Sequence, residues 1–556
     1  MIVGVDHKRE DPATAKPERL DPPRQSILRM VCPGILLVLV CLIPYLNKAY
    51  TIDDPWFLLE ARQILKTPFQ PMSYAICWSW QPPCIQPASN LGPGTVQSLM
   101  GYLLVPGILA GGAEWIAHLL QILLACLAVI EIVKLALRLG FNRIQAACAG
   151  LLLAVLPPFL AMASTAMPDL SALTLGLTGI ERLLAWKEER RWHQAVLSSL
   201  TLGLAPYARP HLALLMALGA LWLFDDFRFK KALAQVRQDF YLWTPILAAA
   251  CILITVNVMT RDRNPAYQAM DILTKLEHVP LNLYAYLIYF SLPIPFTAVW
   301  LAYHWRKAPL LVLLPAVPFL TLHFMLFSSQ SLLEDWPKFT ALYSLVALSH
   351  MIYRCLRETD RLGLFLGLWL LIPLPAIIYI HLPIKYLVPV LPAIVLILIR
   401  ILPPLNTPRA VSIYGALMLV CTAYSCLLLR ADADFAEGGR RASEELIAPH
   451  VAAGEKVWYS GYWGFYWYAE KEGAKIYNPD QPGPKPGELL AIAVVEGGKT
   501  ARDHFPNRDL VDSRHYDSPH GRTVEYGGGL YTNRHGLAPW VWNPKVTNDY
   551  ELWRIR

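Results

Sequence analysis

Long apolar runs alternate with short polar turns from residue 28 to residue 430. A helix that crosses a bilayer needs about 20 mostly apolar residues. By that measure the pattern predicts thirteen membrane spans, two of them short. The predicted spans are 28–46, 115–139, 144–163, 169–185, 194–207, 210–224, 241–259, 283–303, 309–327, 340–353, 362–380, 384–402 and 410–430. The expected fold class is therefore a polytopic α-helical membrane protein.

The apolar run 96–113 is not counted as a span. Gly101, Pro106 and Gly107 make it a poor lipid-exposed helix, so it is expected to lie on the outer face or dip into it. The distribution of Lys and Arg supports this interpretation, because it places most of the basic turns on one side, the cytoplasmic one. With the N-terminus inside, the C-terminus then lies outside.

These spans divide the chain into three predicted parts, with long polar stretches on the outer side. The parts are a cytoplasmic segment, 1–27, a membrane domain, 28–430, with an outer catalytic loop at 47–114, and an extracytoplasmic domain, 431–556. Residues 260–282 form a further outer loop. The length and β-rich runs of the C-terminal part predict a small α/β domain. Its aromatic run, 458–468, favours a β-strand core, with contact to a sugar or to the membrane as the alternative.

Composition agrees with a membrane protein. Apolar residues make up 55% of the chain and charged residues 16%, whereas soluble proteins average about 45–50% and about 25%. The net charge of +7 comes from clusters between apolar runs, so it reflects topology and indicates no nucleic-acid partner. No cleavage site follows the first apolar run, which is interpreted as an uncleaved span. Cys77 and Cys84 share a polar loop; a disulfide and two free thiols both remain open.

The first outer loop carries the clearest candidate chemistry. Asp53 and Asp54 follow the first span within a few residues, in "YTIDDPWFLLEARQIL". Ionisable residues at a membrane face are functional candidates, although solvated acids at the start of a loop are the ordinary alternative.

Three further elements fall on the same predicted side. Asp169 lies at the head of the fourth span, where it could also cap the helix. Arg209 occupies the turn "YARP" and could bind a phosphate or a lipid headgroup. Lys385 and Tyr386 open the twelfth span in "KYLVPVLP", where a snorkelling lysine is the alternative. Acidic and basic residues that come from separate chain positions and share one predicted face indicate a functional site more strongly than any one of them alone.

The order of these elements resembles that of the membrane-embedded glycosyltransferases of the C superfamily. The likeness is to the protein O-mannosyltransferase and lipid A aminoarabinose transferase group. An acidic pair after the first span, a "PD" element, a polar turn and a late basic-Tyr-Pro-Pro element occur in that order over residues 28–430. The segment "WYSGYWGFYWYAEKEGAKIY" also looks like the outer domain of bacterial members. The sequence departs from the family where Asp54 replaces Glu, where "NLGPG" lacks a lysine, and where His118 replaces Arg.

The resemblance implies an inverting transfer of a sugar from a polyprenyl-phosphate donor to a hydroxyl of a protein, lipid or polysaccharide. Asp53 would be the general base, and Asp54 and Asp169 would orient it or the acceptor. The donor phosphate would be held by outer-side cations, namely Arg209, Lys385, Arg261 and Arg263. The residues expected on the acceptor side are Glu60, His118 and Tyr386.

No cofactor is required by this chemistry, although a divalent metal could bind between Asp53, Asp54 and Asp169. The partners expected are the lipid-linked donor, membrane lipids and the hydroxyl acceptor, and the location is the bacterial inner membrane. Polar residues within the spans, such as Glu114, Glu131 and Glu181, also fit a transporter or lipid flippase. The absence of an internal repeat in the sequence favours the enzyme.

Overall fold

The fold is described from a computed structural model. The residues described are 24–77, 85–87, 99–225, 229–259, 276–290, 299, 302, 336–357, 360–379, 381–402, 405–543 and 546–556. The predicted span 309–327, Arg261, Arg263 and Cys84 lie outside the described residues. So do most of the outer loop 260–282 and residues 78–84 and 88–98 of the first outer loop.

The described part of the membrane domain is almost entirely helical. Its helices are α1 (Arg24–Leu42), α2 (Asp54–Lys66), α3 (Leu99–Leu109), α4 (Glu114–Arg138), α5 (Arg143–Val155), α6 (Pro157–Ala163), α7 (Asp169–Glu189), α8 (Trp192–Ala208), α9 (Leu214–Leu223), α10 (Phe229–Gln238), α11 (Thr244–Met259), α12 (Val279–Tyr289), α13 (Trp336–Arg357), α14 (Arg361–Leu370), α15 (Leu391–Ile401) and α16 (Pro408–Ala442). A small hairpin, β1 (Ala75–Cys77) with β2 (Ile85–Pro87), lies in the first loop.

Within the described residues, six helices are long and apolar enough to cross a membrane, and seven if the bent pair α5–α6 is one span. The protein is therefore a polytopic helical membrane protein. The total of thirteen spans and the orientation remain predictions. The helix α3, inside the run 96–113, has 11 residues and a length of about 16 Å, short of the roughly 30 Å of a bilayer core.

The bend between α5 and α6 helps to build the candidate site. The two helices meet at 60° around Leu156, which is extended because a proline follows it. The hydroxyl of Ser425 on α16 donates to the carbonyl of Val155 at 2.8 Å, which satisfies a group that the bend releases from the helix. The bend brings residues 164–168, which lead into α7, against the first outer loop.

The C-terminal part, 431–556, contains a five-stranded mixed sheet of order β4-β3-β5-β9-β6. Its elements are α17 (Ala448–Ala452), β3 (Val457–Ser460), α18 (Trp463–Lys471), β4 (Lys475–Ile476), β5 (Leu489–Ala493), α19 (Lys499–Asp503), β6 (Arg508–Tyr516), β7 (Val524–Glu525), β8 (Gly528–Gly529) and β9 (Asn548–Ile555). Strand β3 is parallel to β4 and β5, and β9 is antiparallel to β5 and β6. Aligned residues Tyr459, Ala491 and Leu552 face one buried cluster.

The structure divides the aromatic run 458–468 between two elements. The expectation of a strand is right for β3 but wrong for α18, which is helical. Residues Phe465 to Ala469 are all buried, because the helix is enclosed by the sheet on one side and by the membrane domain on the other. At Gly464 a Cβ atom would come within 2.3 Å of the carbonyl oxygen of Tyr50, so the close approach requires glycine.

The last membrane helix does not end at the predicted boundary at residue 430. Helix α16 is 35 residues long in total and ends at Ala442, so it carries residues 431–442 into the C-terminal part. Trp467, Leu530 and Tyr531 of that part join the same buried cluster as the membrane helices. The two parts are thus packed together along a continuous core.

Candidate active site

The acidic pair and the late basic element meet at one end of the helical bundle, which we call the Asp53 end. The ammonium of Lys385 donates to the carboxylate of Asp53 at 2.6 Å, across 332 positions of sequence. The side chain of Lys385 is 3% exposed, whereas that of Asp53 is 36% exposed. Desolvation opposes ionisation of Asp53, but the charge and hydrogen bond of Lys385 lower its pKa below the ordinary value. A partly exposed carboxylate thus faces a buried cation.

Lys385 reaches this position because proline interrupts the helical chain on either side of it. It lies in a 3-10 helix, Ile384–Val390, which follows Pro383 and contains Pro389 before α15 begins. The ammonium also lies 3.6 Å from the sulfur of Met167 in the turn before α7. The snorkelling alternative does not describe this side chain, which points at Asp53.

A second ion pair lies beside the first. Both nitrogens of the Arg209 fork reach Asp169, with Nε to Oδ1 at 2.8 Å and Nη2 to Oδ2 at 2.7 Å. Arg209 is extended because Pro210 follows it, and Asp169 opens α7. The guanidinium stacks 4.6 Å from the ring of Tyr386. The hydrogen bonds found for the Asp169 carboxylate go to Arg209, and no side-chain cap is found at the start of α7.

The imidazole of His381 joins this group of side chains. Its ring lies 6.3 Å from that of Tyr386. Burial, with the nearby charge of Lys385, lowers the pKa of His381 to about 3, so the imidazole is neutral at physiological pH. Unlike Lys385 and Arg209, this histidine therefore adds no positive charge to the Asp53 end.

Asp54 has a different environment from its neighbour. It is fully buried, and its two oxygens accept from the backbone N–H groups of Thr51 at 2.9 Å and Ala166 at 2.8 Å. Burial raises the pKa of Asp54 to about 7, although Lys48 and the two backbone donors favour its charged form. Asp54 therefore ties the first loop to the turn before α7.

Besides His381, five residues near the site were missed by the sequence analysis, namely Lys48, Asp432, Thr523, Tyr531 and Asn533. Lys48 is buried and donates to Asp432 and, at 3.0 Å, to the carbonyl of Ser164. Asp432 also accepts from Tyr531 at 2.8 Å and from Thr523 at 3.0 Å. The remaining residue, Asn533, accepts from the backbone N–H of Leu382 at 3.0 Å. Only Lys48 gave a signal, since it stands five positions before the acidic pair.

The other predicted site residues lie elsewhere. Glu60 is buried where α2 packs on α3, close to Gly101, and no described contact joins it to Asp53. His118 shares a 2.9 Å hydrogen bond with the carbonyl of Leu46 and packs near Tyr50. Tyr386 is therefore the predicted acceptor-side residue that the structure places beside the two ion pairs.

No group of three His, Cys, Asp or Glu side chains that could hold a metal ion is found among the described residues. The carboxylates of Asp53, Asp54 and Asp169 instead engage Lys385, backbone donors and Arg209. The residues present thus do not form the three-aspartate metal site that the sequence suggested.

The acids that raised the transporter alternative are engaged in ion pairs or hydrogen bonds. Glu181 accepts from Arg138 at 2.6 Å, and Glu131 pairs with Lys134 at 2.8 Å and with Arg182 at 3.2 Å. These residues lie toward the other end of α4 and α7. Glu114 accepts from Tyr468 at 2.8 Å.

No protein-family model and no curated protein matches the sequence. Among solved structures, the chain is similar to ArnT from Cupriavidus metallidurans bound to undecaprenyl phosphate, with a TM-score of 0.44 and 14% identity over 88% of this chain and 97% of that one. It is similar to an Archaeoglobus fulgidus oligosaccharyltransferase in complex with Zn and sulfate, with a TM-score of 0.43 and 12% identity over 81% of this chain and 62% of that one. It is also similar to the arabinosyltransferase EmbB from Mycobacterium smegmatis, with a TM-score of 0.37 and 16% identity over 78% of this chain and 43% of that one.

Likeness at these values does not assign an activity to the chain.

Proposed function

We propose that this protein is an inverting glycosyltransferase that moves a sugar from a polyprenyl-phosphate donor to a hydroxyl acceptor at the outer face of a bacterial inner membrane. The observation that carries the proposal is the contact between the partly exposed Asp53 carboxylate and the buried Lys385 ammonium, beside the buried Arg209. Ionisable groups held at such depth are costly, and in membrane proteins they mark functional sites.

The two ion pairs support different roles for the two cations. Arg209 is held by two hydrogen bonds to Asp169 and by the ring of Tyr386, so its guanidinium is fixed in place. Within the part of the chain that the structure describes, Lys385 has a single carboxylate contact, to Asp53. A lysine ammonium is a flexible point charge, so an incoming phosphate can take it over from a carboxylate. We therefore assign Lys385 as the phosphate-binding cation and Arg209 as a fixed positive charge beside it.

This exchange would also activate the base. While Lys385 holds Asp53, the pKa of the carboxylate is lowered and its affinity for a proton is weak. When the donor phosphate engages Lys385, Asp53 loses that partner and becomes a stronger base. Donor binding thus prepares the enzyme for deprotonation of the acceptor.

In the transfer step the acceptor hydroxyl oxygen attacks the anomeric carbon while Asp53 takes its proton. The bond between that carbon and the phosphate oxygen breaks, and its electron pair remains on the phosphate. Lys385 and Arg209 stabilise the growing negative charge there. The leaving phosphate needs no general acid, and one displacement inverts the anomeric centre.

The test is sugar transfer by purified full-length protein in nanodiscs, with a panel of polyprenyl-phosphate sugars. Because the acceptor is unidentified, donor hydrolysis by water counts as turnover. Asp53→Asn should lower turnover of the active donor at least about 100-fold, the range for loss of a general base. The matched control is Asp509→Asn on strand β6, whose side chain is 49% exposed.

The outcomes separate the donor class from the role of Asp53. Loss in Asp53→Asn with normal turnover in the control supports both. Equal turnover in the two variants would move the base to another carboxylate. If no donor on the panel is consumed or bound, the donor class is wrong.

A further inference from the structure

A short stretch of the C-terminal part, residues 523–533, reaches into the Asp53 end, and we call it the Tyr531 segment. Thr523 and Tyr531 both donate to Asp432, which also binds Lys48. The ring of Tyr531 lies 5.6 Å from the ammonium of Lys385. Tyr531 is 4% exposed, so its ring occupies a buried place between the two lysines.

The same segment also forms hydrogen bonds that hold the backbone just before Lys385. The side-chain oxygen of Asn533 accepts from the N–H of Leu382, three residues before Lys385. Its amide nitrogen donates to Asn282 on α12 at 2.9 Å. Asn282 in turn donates to the carbonyls of Ile377 at 2.9 Å and Tyr379 at 2.6 Å. The two asparagines thus fix three backbone groups between residues 377 and 382.

We propose that the Tyr531 segment is part of the active site, with Tyr531 and Asn533 acting as positioning residues for Lys385. The assignment of Lys385 to the donor phosphate rests on the proposed function, whereas its placement by these two residues does not. Asn533 sets the position of the backbone before Lys385, and the aromatic face of Tyr531 favours a cation beside it.

The physical consequence is that the membrane domain alone holds an incomplete site. Lys385 must stay charged and close to Asp53 while almost fully buried, and a desolvated cation depends strongly on nearby partners. The ring of Tyr531 is one such partner. The hydrogen bond from Tyr531 to Asp432 ties that ring to α16 and to Lys48, so docking of the C-terminal part and placement of Lys385 are coupled.

A first experiment tests the placement without reference to activity. Full-length protein is treated with an amine-reactive reagent, and labelling of each lysine is measured by mass spectrometry. In Asn533→Ala and Tyr531→Leu, we expect Lys385 to be labelled faster than in the wild type. Lys134, which is 28% exposed at the other end of the bundle, should be labelled at an unchanged rate. Unchanged labelling of Lys385 in both variants would overturn the proposal.

A second experiment measures binding of undecaprenyl phosphate to the same variants in nanodiscs. We expect binding to weaken roughly tenfold in Asn533→Ala, the size of effect typical for loss of a buried hydrogen bond. The control is Asn507→Ala, an exposed asparagine outside this segment, just before strand β6. Wild-type binding with no change in either positioning variant would contradict a positioning role while leaving the proposed function intact. No binding by the wild type would count against the proposed function, and lysine labelling would then decide the placement alone.

Discussion

The two ends of the helical bundle both carry dense clusters of charge, yet they are built differently. Helix α7 starts at Asp169 in the Asp53 end and reaches Glu181 twelve residues later, about 18 Å away. At this Glu181 end, Arg138 binds Glu181, Glu188 and Glu189. These contacts span at most 51 positions of sequence. At the Asp53 end, Arg209 and Asp169 are 40 positions apart, but two further ion pairs join residues 332 and 384 positions apart.

Under the proposed function, this difference separates a structural cluster from a functional one. At the Glu181 end, Arg138 of α4 pairs with acidic residues of α7, as expected of ion pairs that hold neighbouring helices together. At the Asp53 end a buried ammonium has one carboxylate partner that is itself partly exposed to solvent. A cation that exchanges a carboxylate for a phosphate needs a carboxylate partner that is partly exposed to solvent. An ion pair that only holds two helices together does not.

The largest effect that would distinguish the two ends is expected from a matched pair of lysines. Lys385→Gln should lower sugar transfer by roughly 100-fold or more, because it removes the cation that stabilises the leaving phosphate. Lys134→Gln, which breaks the pair with Glu131, should leave turnover close to wild type. Initial rates in nanodiscs measure both. Similar losses in the two variants would abolish the distinction between the ends.

An intermediate effect is expected from the arginines. Arg209→Lys keeps the charge but cannot make the two-pronged contact with Asp169, so we expect the KM for the donor to rise about tenfold. Arg138→Lys should instead lower the Tm with little change in donor KM. If Arg209→Lys changes only the Tm, Arg209 has a structural role like that of Arg138.

The smallest effects concern pH and distinguish the two neighbouring aspartates. The folded-state pKa of Asp54 is raised to about 7, so its contribution to stability falls as the pH rises from its ordinary pKa near 4 towards 7. The effect of Asp53 has the opposite sign. Its folded-state pKa is lowered, so its ionised carboxylate contributes stability that is lost as the pH falls through that pKa.

Thermal unfolding of Asp54→Asn and Asp53→Asn between about pH 2 and pH 8 checks these signs, because the window for Asp53 lies below its ordinary pKa near 4. Relative to the wild type, Asp54→Asn should be most destabilised at low pH, by about 1–3 kcal/mol, since asparagine offers one oxygen for two backbone donors. That deficit should shrink as the pH rises. For Asp53→Asn the deficit should grow with pH. If the loss of stability relative to the wild type changed with pH in the same way in both variants, the environments of the two carboxylates would not differ.

Much of the helical architecture could be predicted, because apolar runs of about 20 residues have few alternatives to a membrane helix. Asp53, Asp169, Arg209 and Lys385 could also be selected as candidates, since charged residues beside apolar runs stand out in a sequence, and the structure brings them together. The sequence analysis predicted that Asp54 orients Asp53 or the acceptor, but the oxygens of Asp54 accept hydrogen bonds from backbone N–H groups. Chain proximity did not reveal that difference, which depends on the fold of residues 164–168.

The residues that were missed depend on long-range packing. Asp432 follows the apolar run 410–430 in the sequence, as many solvated acids do, and its partners Lys48 and Tyr531 lie 384 and 99 positions away. Asn533 acts through a backbone N–H, for which no sequence pattern exists. The helix α18 was missed because consecutive aromatic residues favour strands by propensity, and burial on all sides decided the outcome.

The most direct test of the account is to map where a lipid phosphate binds. Full-length protein in nanodiscs is photolabelled with an undecaprenyl phosphate analogue that carries its reactive group next to the phosphate, and the labelled peptides are identified by mass spectrometry. We predict labelling near Lys385 and Arg209 that unlabelled undecaprenyl phosphate competes away and that Lys385→Gln removes. Competed labelling at the Glu181 end, or none that competes at the Asp53 end, would contradict the account.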